Sequence, residues 1–167
     1  KEKQSLEEIW EEIGPEDNIL KKIEELKNPV FLKYFGIRKD PLCEKNMVLV
    51  MESGETTIDD ILKANIIFSV GETLYIFSEL VNQFEILQKH GIANRDVKPA
   101  NIIIVQNQPN EYNFKVADFG IGCRIIEPGR NLISIEEFKG CSFPFSAPEV
   151  KEINEESYLQ NDYDPFK

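Results

Sequence analysis

Apolar positions fall in a helical rhythm over the first part of the chain and break into short runs after it. Leu6, Ile9, Trp10 and Ile13 recur at i, i+3, i+4 and i+7, one apolar stripe of a helix, and Gly14-Pro15 is expected to end it. Glu16 and Asp17 place negative charge at the start of a second helix, whose stripe is Ile19, Leu20, Ile23 and Leu26 and which Asn28-Pro29 stops. Residues 31–37 and 47–51 are short, apolar and bounded by turn residues. They read as two strands joined at Lys39-Asp40-Pro41, and Gly54 follows as a break. Residues 66–91 contain no proline, and Leu74, Phe77, Leu80, Val81, Phe84 and Leu87 sit at helical spacing, which predicts one long buried helix. Strand-like pieces at 102–105 and 114–116 then flank a polar hairpin at 106–113. Residues 120–148 are irregular, and a loop of that length is usually functional or disordered. Helices, a few strands and loop-borne polar residues together predict an α+β fold.

Composition narrows the partners. A chain of 167 residues is expected to form one domain with a sizeable core. Its net charge is −11 and no Lys/Arg-rich face is visible, so nucleic-acid binding through phosphates is not expected. A negative surface suits basic substrates; it is also what a merely solvated acidic surface looks like. No run approaches the roughly 20 apolar residues of a membrane span. Cys43, Cys123 and Cys141 lack metal-ligand spacing and read as free thiols of a reducing compartment. With no signal-peptide pattern before Trp10, the expected location is intracellular and cytoplasmic. The single histidine, His90, excludes a His-based metal cluster and reads as a residue at a helix C-terminus.

The informative segment is Asn94-Arg95-Asp96-Val97-Lys98-Pro99-Ala100-Asn101, followed by Asp118-Phe119-Gly120 and then Ala147-Pro148-Glu149. In order and spacing this resembles the signature set of eukaryotic-type serine/threonine protein kinases: the catalytic loop, the D-F-G turn and A-P-E. The resemblance runs over roughly residues 16–166. It implies ATP and Mg²⁺ as cofactors and a protein substrate. Phosphoryl transfer asks for positioning and charge neutralisation more than for covalent help. The resemblance makes Asp96 the acceptor of the substrate hydroxyl proton and Lys98 the cation beside the transferring phosphate. Asn101 and Asp118 become the Mg²⁺ ligands, oxygen donors suited to a hard cation. Lys98 is also the residue typical of kinases that act on serine or threonine.

Residues 48–54 resemble the strand and hinge that hold adenine, with Met51 as gatekeeper and the carbonyl of Glu52 and the N–H of Gly54 facing the base. Ile103 and Ala117 would line the pocket floor, or else are ordinary core. Arg95, beside Asp96, is the residue that in many kinases pairs with a phosphorylated activation loop. Here Glu136 and Glu137 could replace that phosphate, or Ser134 could be the switch. Ser142 falls near the position where such kinases hydrogen-bond the catalytic Asp and Lys. Two residues depart from the pattern: Asn94 stands where the family has His, and Ala100 where Glu is common. Asn can donate the backbone hydrogen bond that the His usually makes to the D-F-G turn.

The sequence contains no G-x-G-x-x-G loop and no V-A-I-K-like strand. The chain is therefore expected to be a kinase domain cut at both ends, with 1–52 a remnant of the small lobe and 53–167 part of the large lobe. The glutamate that such a strand's lysine would meet stays open: the count from Asn28-Pro29 falls on Ile19, with Glu16 and Glu12 as alternatives. The expected function is ATP-dependent phosphorylation of protein Ser/Thr by the complete domain; the alternative is a catalytically silent interaction module.

Overall fold

The computed structural model describes residues 6–41, 43–124 and Phe145. Helix α1, Leu6–Glu25, leads into an antiparallel hairpin of β1, Tyr34–Asp40, and β2, Cys43–Met51. A two-residue strand β3, Thr56–Thr57, a short helix α2, Ile58–Lys63, and the long helix α3, Val70–Lys89, follow. Next come β4, Ile92–Ala93, a 3₁₀ turn at Pro99–Asn101, and the hairpin of β5, Ile102–Gln108, and β6, Glu111–Val116. Strand β7, Cys123–Arg124, pairs back onto β4. The strands make three small antiparallel sheets, β1-β2, β3-β5-β6 and β4-β7.

Helix α1 corrects one expectation: Gly14-Pro15 does not end it, and the two predicted helices are one. Pro15 removes one backbone hydrogen bond and crowds the preceding turn, a penalty of roughly 3 kcal/mol. Tertiary anchors lie just beyond it. Ile19, Leu20 and Ile23 are buried in the main core with Phe31, Tyr34, Val116 and Phe119. Asp17, expected to open a new helix, is instead buried inside this one. Its carboxylate accepts the Tyr34 hydroxyl at 2.7 Å and pairs with Lys21 Nζ at 2.6 Å. Burial, and then the Asp17 carboxylate, push the Tyr34 hydroxyl pKa up. The Tyr34 N–H donates to Glu24 Oε2 at 2.9 Å, a second tie of α1 to the sheet.

Helix α3 corrects another. It begins at Val70, not at Ile66, because Ser69 and Glu72 form a capping box: Glu72 N–H donates to Ser69 Oγ at 3.2 Å and Ser69 N–H to Glu72 Oε2 at 2.7 Å. Nor is the helix buried as a whole. Ile76, Gln83 and Leu87 are inside, whereas Leu74, Phe77 and Val81 of the expected stripe are exposed. Periodicity locates an apolar face but does not supply its cover. The helix ends where His90 caps it with Nδ1 2.8 Å from Ile86 O and Gly91 turns left-handed at φ +65°, as read from the sequence.

Helix α2 was not foreseen, although Thr57 and Asp60 close a capping box of their own. Three of the four strands in the larger hairpins run farther than their apolar runs, and β1 is shifted from the expected 31–37 to Tyr34–Asp40, with Lys39 and Asp40 of the expected turn inside it, since backbone pairing continues into polar residues. Among the described residues no helix is long and apolar enough to cross a membrane.

Candidate active site

Residues 94–101 cross from β4 to β5 in a loop stitched together by buried amides. Asn94 is 3% exposed and uses both ends of its side chain. Its Oδ1 accepts the Asp96 N–H at 3.0 Å, and its Nδ2 donates to Asp118 O at 2.7 Å. The residue that departs from the family pattern thus makes the bond expected of it. Asn101, also buried, donates from Nδ2 to Asp96 O at 2.9 Å and to Asp96 Oδ2 at 3.0 Å. Its carbonyl accepts the Ala117 N–H at 2.8 Å. Lys98 Nζ lies 2.5 Å from the same Asp96 Oδ2. Asp96, Lys98 and Asn101 are therefore brought together, and Asn94 and Asn101 each tie their loop to the 117–118 backbone. Low dielectric strengthens such a satisfied network and makes any missing partner expensive.

Arg95 and Asp118 both adopt left-handed backbone, at φ 65° and 59°. Non-glycine residues hold such angles at a cost that the surroundings must offset. At Asp118 the offsets are visible: Asn94 holds its carbonyl, and its own Oδ1 accepts the Gly120 N–H at 3.2 Å. Arg95 Nε donates to Ile121 O at 2.7 Å, fastening the loop to the segment after the D-F-G turn. Ser134, Glu136, Glu137 and Ser142, like Ala147-Pro148-Glu149, lie outside the described residues.

The structure also brings Met51, Ile103 and Ala117 together, in a small cluster with Leu32 and Val105. Met51, Ala117, Asp118 and Phe119 border a cavity of about 10 Å³ between α1 and β6, room for one water. Gly54 lies against β5 so closely that a Cβ there would fall 2.1 Å from Ile103 Cγ2 and 2.9 Å from Ile104 O. Only glycine lets the chain pass, and the neighbouring Glu55 N–H donates to Ile104 O at 2.8 Å.

Two charged residues join this region that sequence reasoning did not assign. Glu16 reaches across from α1, and its Oε1 accepts the Phe119 N–H at 3.2 Å. Burial pushes its carboxyl above the ordinary value, the Phe119 N–H pulls it partly back, and the Asp118 carboxylate adds to the rise. Glu16 is one of the alternatives left open by the count from Asn28-Pro29, and Ile19, on which that count falls, is a buried core residue. Lys115, on β6, is 4% exposed. Its ammonium donates to Glu52 Oε2 at 2.9 Å and to Phe31 O at 3.1 Å. Glu52 Oε2 also accepts the Lys33 N–H at 3.2 Å. Burial alone would raise the Glu52 carboxyl; the bonds from Lys115 and Lys33 outweigh it and hold the pKa below the ordinary value. A lysine inside the apolar run Phe114–Ala117 was the available signal.

Among the described residues no three His, Cys, Asp or Glu side chains gather as a metal cage. Asp118 and Asn101 offer two oxygen donors, too few for a metal held by protein alone. They fit Mg²⁺, which keeps waters and shares phosphate oxygens with one or two protein ligands.

Residues 1–166 match the protein kinase domain family. Over 109 residues the chain is 33% identical to sperm motility kinase 3A of Mus musculus, covering 64% of this chain and 20% of that protein. It is 28% identical over 137 residues to the probable serine/threonine-protein kinase fhkC of Dictyostelium discoideum, covering 80% of this chain and 22% of that protein. It is 31% identical over 128 residues to calcium-dependent protein kinase 29 of Arabidopsis thaliana, covering 75% of this chain and 22% of that protein. The chain thus spans about a fifth of the length of these curated relatives. Its fold is similar to a chain in the crystal structure of the yeast RNA Pol II CTD kinase CTDK-1 complex, with a TM-score of 0.61 and 21% identity over 78% of this chain and 40% of that one. The chain therefore belongs to the protein kinase family, and its α+β architecture is a partial protein kinase fold.

Proposed function

We propose that this chain carries the catalytic centre of a protein serine/threonine kinase, with ATP as phosphoryl donor and a protein Ser or Thr hydroxyl as acceptor. The observation that supports this best is the convergence of Lys98 Nζ and Asn101 Nδ2 on one oxygen of Asp96, in a loop that Asn94 locks to Asp118. Asp96 orients the acceptor hydroxyl and takes its proton as the oxygen attacks. Asn101 fixes the Asp96 carboxylate, and the Lys98 ammonium, held beside that carboxylate, would hydrogen-bond an oxygen of the transferring phosphate and offset its negative charge. Asp118 and the Asn101 amide oxygen would hold Mg²⁺, whose positive charge offsets that of the phosphates. Met51, Ile103 and Ala117 form the apolar bed for adenine, with Glu52 O and Gly54 N–H as its backbone partners. Residues 1–52 belong to the small lobe in this reading and 53–167 to the large one. Arg95, with Ser134 or with Glu136 and Glu137, would order the loop before Ser142.

The test is a kinase assay on the full-length protein with paired Ser, Thr and Tyr peptides. Turnover on Ser or Thr is expected, with Asp118→Asn abolishing it. Asp96→Asn should lower it by roughly 10²–10⁴-fold, the usual worth of a general base, while nucleotide binding persists. Near wild-type turnover of Asp96→Asn would remove Asp96 from the chemistry. Nucleotide binding without turnover by the wild type would favour the silent interaction module.

A further inference from the structure

Gln83 is a polar side chain in an apolar place. It lies in α3, is 1% exposed, and turns toward β6 rather than water. Burying an amide is costly unless its hydrogen bonds are made. Gln83 makes them both within its helix and across to the strand. Its Nε2 donates to Phe114 O at 2.6 Å and to Glu79 O at 3.2 Å, and its Oε1 accepts the Val116 N–H at 2.9 Å. These partners fix which way the amide points, because a carbonyl needs its NH₂ end and an N–H needs its oxygen.

Phe114 and Val116 present those groups on the outer edge of β6. In the order β3-β5-β6 that edge has no neighbouring strand among the described residues. Backbone groups alternate along a strand, so those of Lys115 and Ala117 face β5 instead, where the Ala117 N–H donates to Asn101 O at 2.8 Å. A neighbouring strand would offer the outer edge one N–H and one C=O. The Gln83 amide carries the same pair and stands in for one peptide unit of such a strand. The residues just before Asp118 are therefore held from both edges, by β5 on one and by Gln83 on the other.

An apolar side chain of the same length would fill the space as well. It would not fix how far β6 slides along its own axis, since apolar burial is non-directional, whereas a hydrogen bond weakens steeply with angle and distance. Direction matters because of what β6 delivers. Asp118 lies two residues beyond Val116, and Mg²⁺ demands near-ideal octahedral geometry of its ligands.

We infer that Gln83 is a positioning residue for Mg²⁺ binding: by standing in for a strand at the outer edge of β6, it fixes Asp118 relative to Asn101. The inference rests on the reading of Asp118 and Asn101 as the metal ligands. It adds to them a residue of α3, an element that carries none of the proposed functional residues.

The test is calorimetric titration of the full-length protein with ATP over a series of Mg²⁺ concentrations, which needs no turnover. The wild type is expected to bind ATP more tightly as Mg²⁺ is added, and Asp118→Asn to lose most of that gain. Gln83→Met, matched in length, should raise the Mg²⁺ concentration for half-maximal gain by about 10–100-fold, the usual effect of losing a residue that orients a metal ligand. ATP affinity without Mg²⁺ should stay near that of the wild type. Gln83→Asn, one methylene too short to bridge both groups, should shift it the same way and serves if Gln83→Met does not fold. Leu87→Val, one turn along α3, loses packing but keeps the bonds to β6, so it should lower stability and leave the Mg²⁺ dependence unmoved. Hydrogen exchange of the wild type needs no variant: the Val116 N–H should exchange as slowly as the β5-paired amides before Mg²⁺ or ATP is added. Unchanged Mg²⁺ dependence in the Gln83 variants, an equal shift in Leu87→Val, or fast exchange at Val116 would each overturn the inference and leave the Asp118 reading standing. Full Mg²⁺ gain in Asp118→Asn would instead remove Asp118 as a ligand, and the inference would fall with it.

Discussion

The 94–120 region and the exposed stripe of α3 invert the usual arrangement in opposite ways. In the first, polar and charged residues are inside: Asn94, Asp96, Asn101 and Lys115 are all buried. In the second, large apolar residues are outside: Val70 is 78% exposed, Leu74 65%, Phe77 62% and Val81 61%. Burying polar groups is stable only when each finds a partner, and here each does. Exposed apolar residues carry no such requirement and simply forgo stabilisation. The buried polar set is therefore under tight geometric control, while the apolar stripe leaves the fold largely indifferent to its identity. Substitution should separate the two regions sharply.

The largest stability effect is expected at Lys115. Lys115→Met removes the ammonium that satisfies both Glu52 and Phe31 O and leaves a partly buried carboxylate without its cation. Breaking a fully buried pair from one side costs about 3–5 kcal/mol. Glu52 retains 22% of its side-chain exposure, so the expectation is the low end, about 3 kcal/mol by denaturant unfolding. Lys115→Met/Glu52→Gln should recover part of that loss, and a single-variant effect below about 1 kcal/mol would mean the pair is not structural. The same pair sets an acid dependence. The folded pKa of Glu52 is depressed, so its contribution is present above the unfolded value of 4.5 and is lost as pH falls through the folded one. Wild-type stability should drop more steeply below about pH 4.5 than that of Glu52→Gln, as read by urea midpoints across the range.

Asn94 should come next. Asn94→Leu keeps the volume but orphans the Asp118 carbonyl and the Asp96 N–H, a penalty of about 2 kcal/mol for the buried groups left unmade. Activity should fall further than stability, because the left-handed turn at Asp118 loses its tether. Asn94→His restores one donor and one acceptor and should preserve most of both. A kinase assay beside thermal unfolding separates the two losses, and equal tolerance of Leu and His would mean the bridge does not hold the turn.

The two regions were also unequally legible. Asp96, Lys98, Asn101 and Asp118 stand out because they match the family's motifs at short spacings, and the structure gathers the first three around one carboxylate. Asn94 could be read for the same reason, as a donor standing in for His. Glu16 stayed one alternative among three and Lys115 was marked only by its place in an apolar run, because the partners that give them a role lie 103 and 63 residues away. Pro15 misled, since core contacts of Ile19, Leu20 and Ile23 outweigh one missing hydrogen bond. In α3 the helical rhythm was right and the burial was not. A period of 3.6 reports which residues share a face, whereas cover depends on elements elsewhere.

The smallest effect is expected on that face, and it tests the comparison from the other side. Leu74 and Phe77 lie one turn apart on α3 and are each more than half exposed. Replacing either by Lys or Gln removes little buried area and puts good helix formers in a helix interior, so the change should stay within about 0.5 kcal/mol. The control is Leu87, 1% exposed on the same helix, where Leu87→Ala should cost about 2–5 kcal/mol through the cavity it leaves. Unfolding measurements on the three variants decide the matter. A loss of 2 kcal/mol or more at Phe77 would mean the stripe is covered in the intact protein, and the contrast between a tightly held polar centre and a tolerant apolar face would fail.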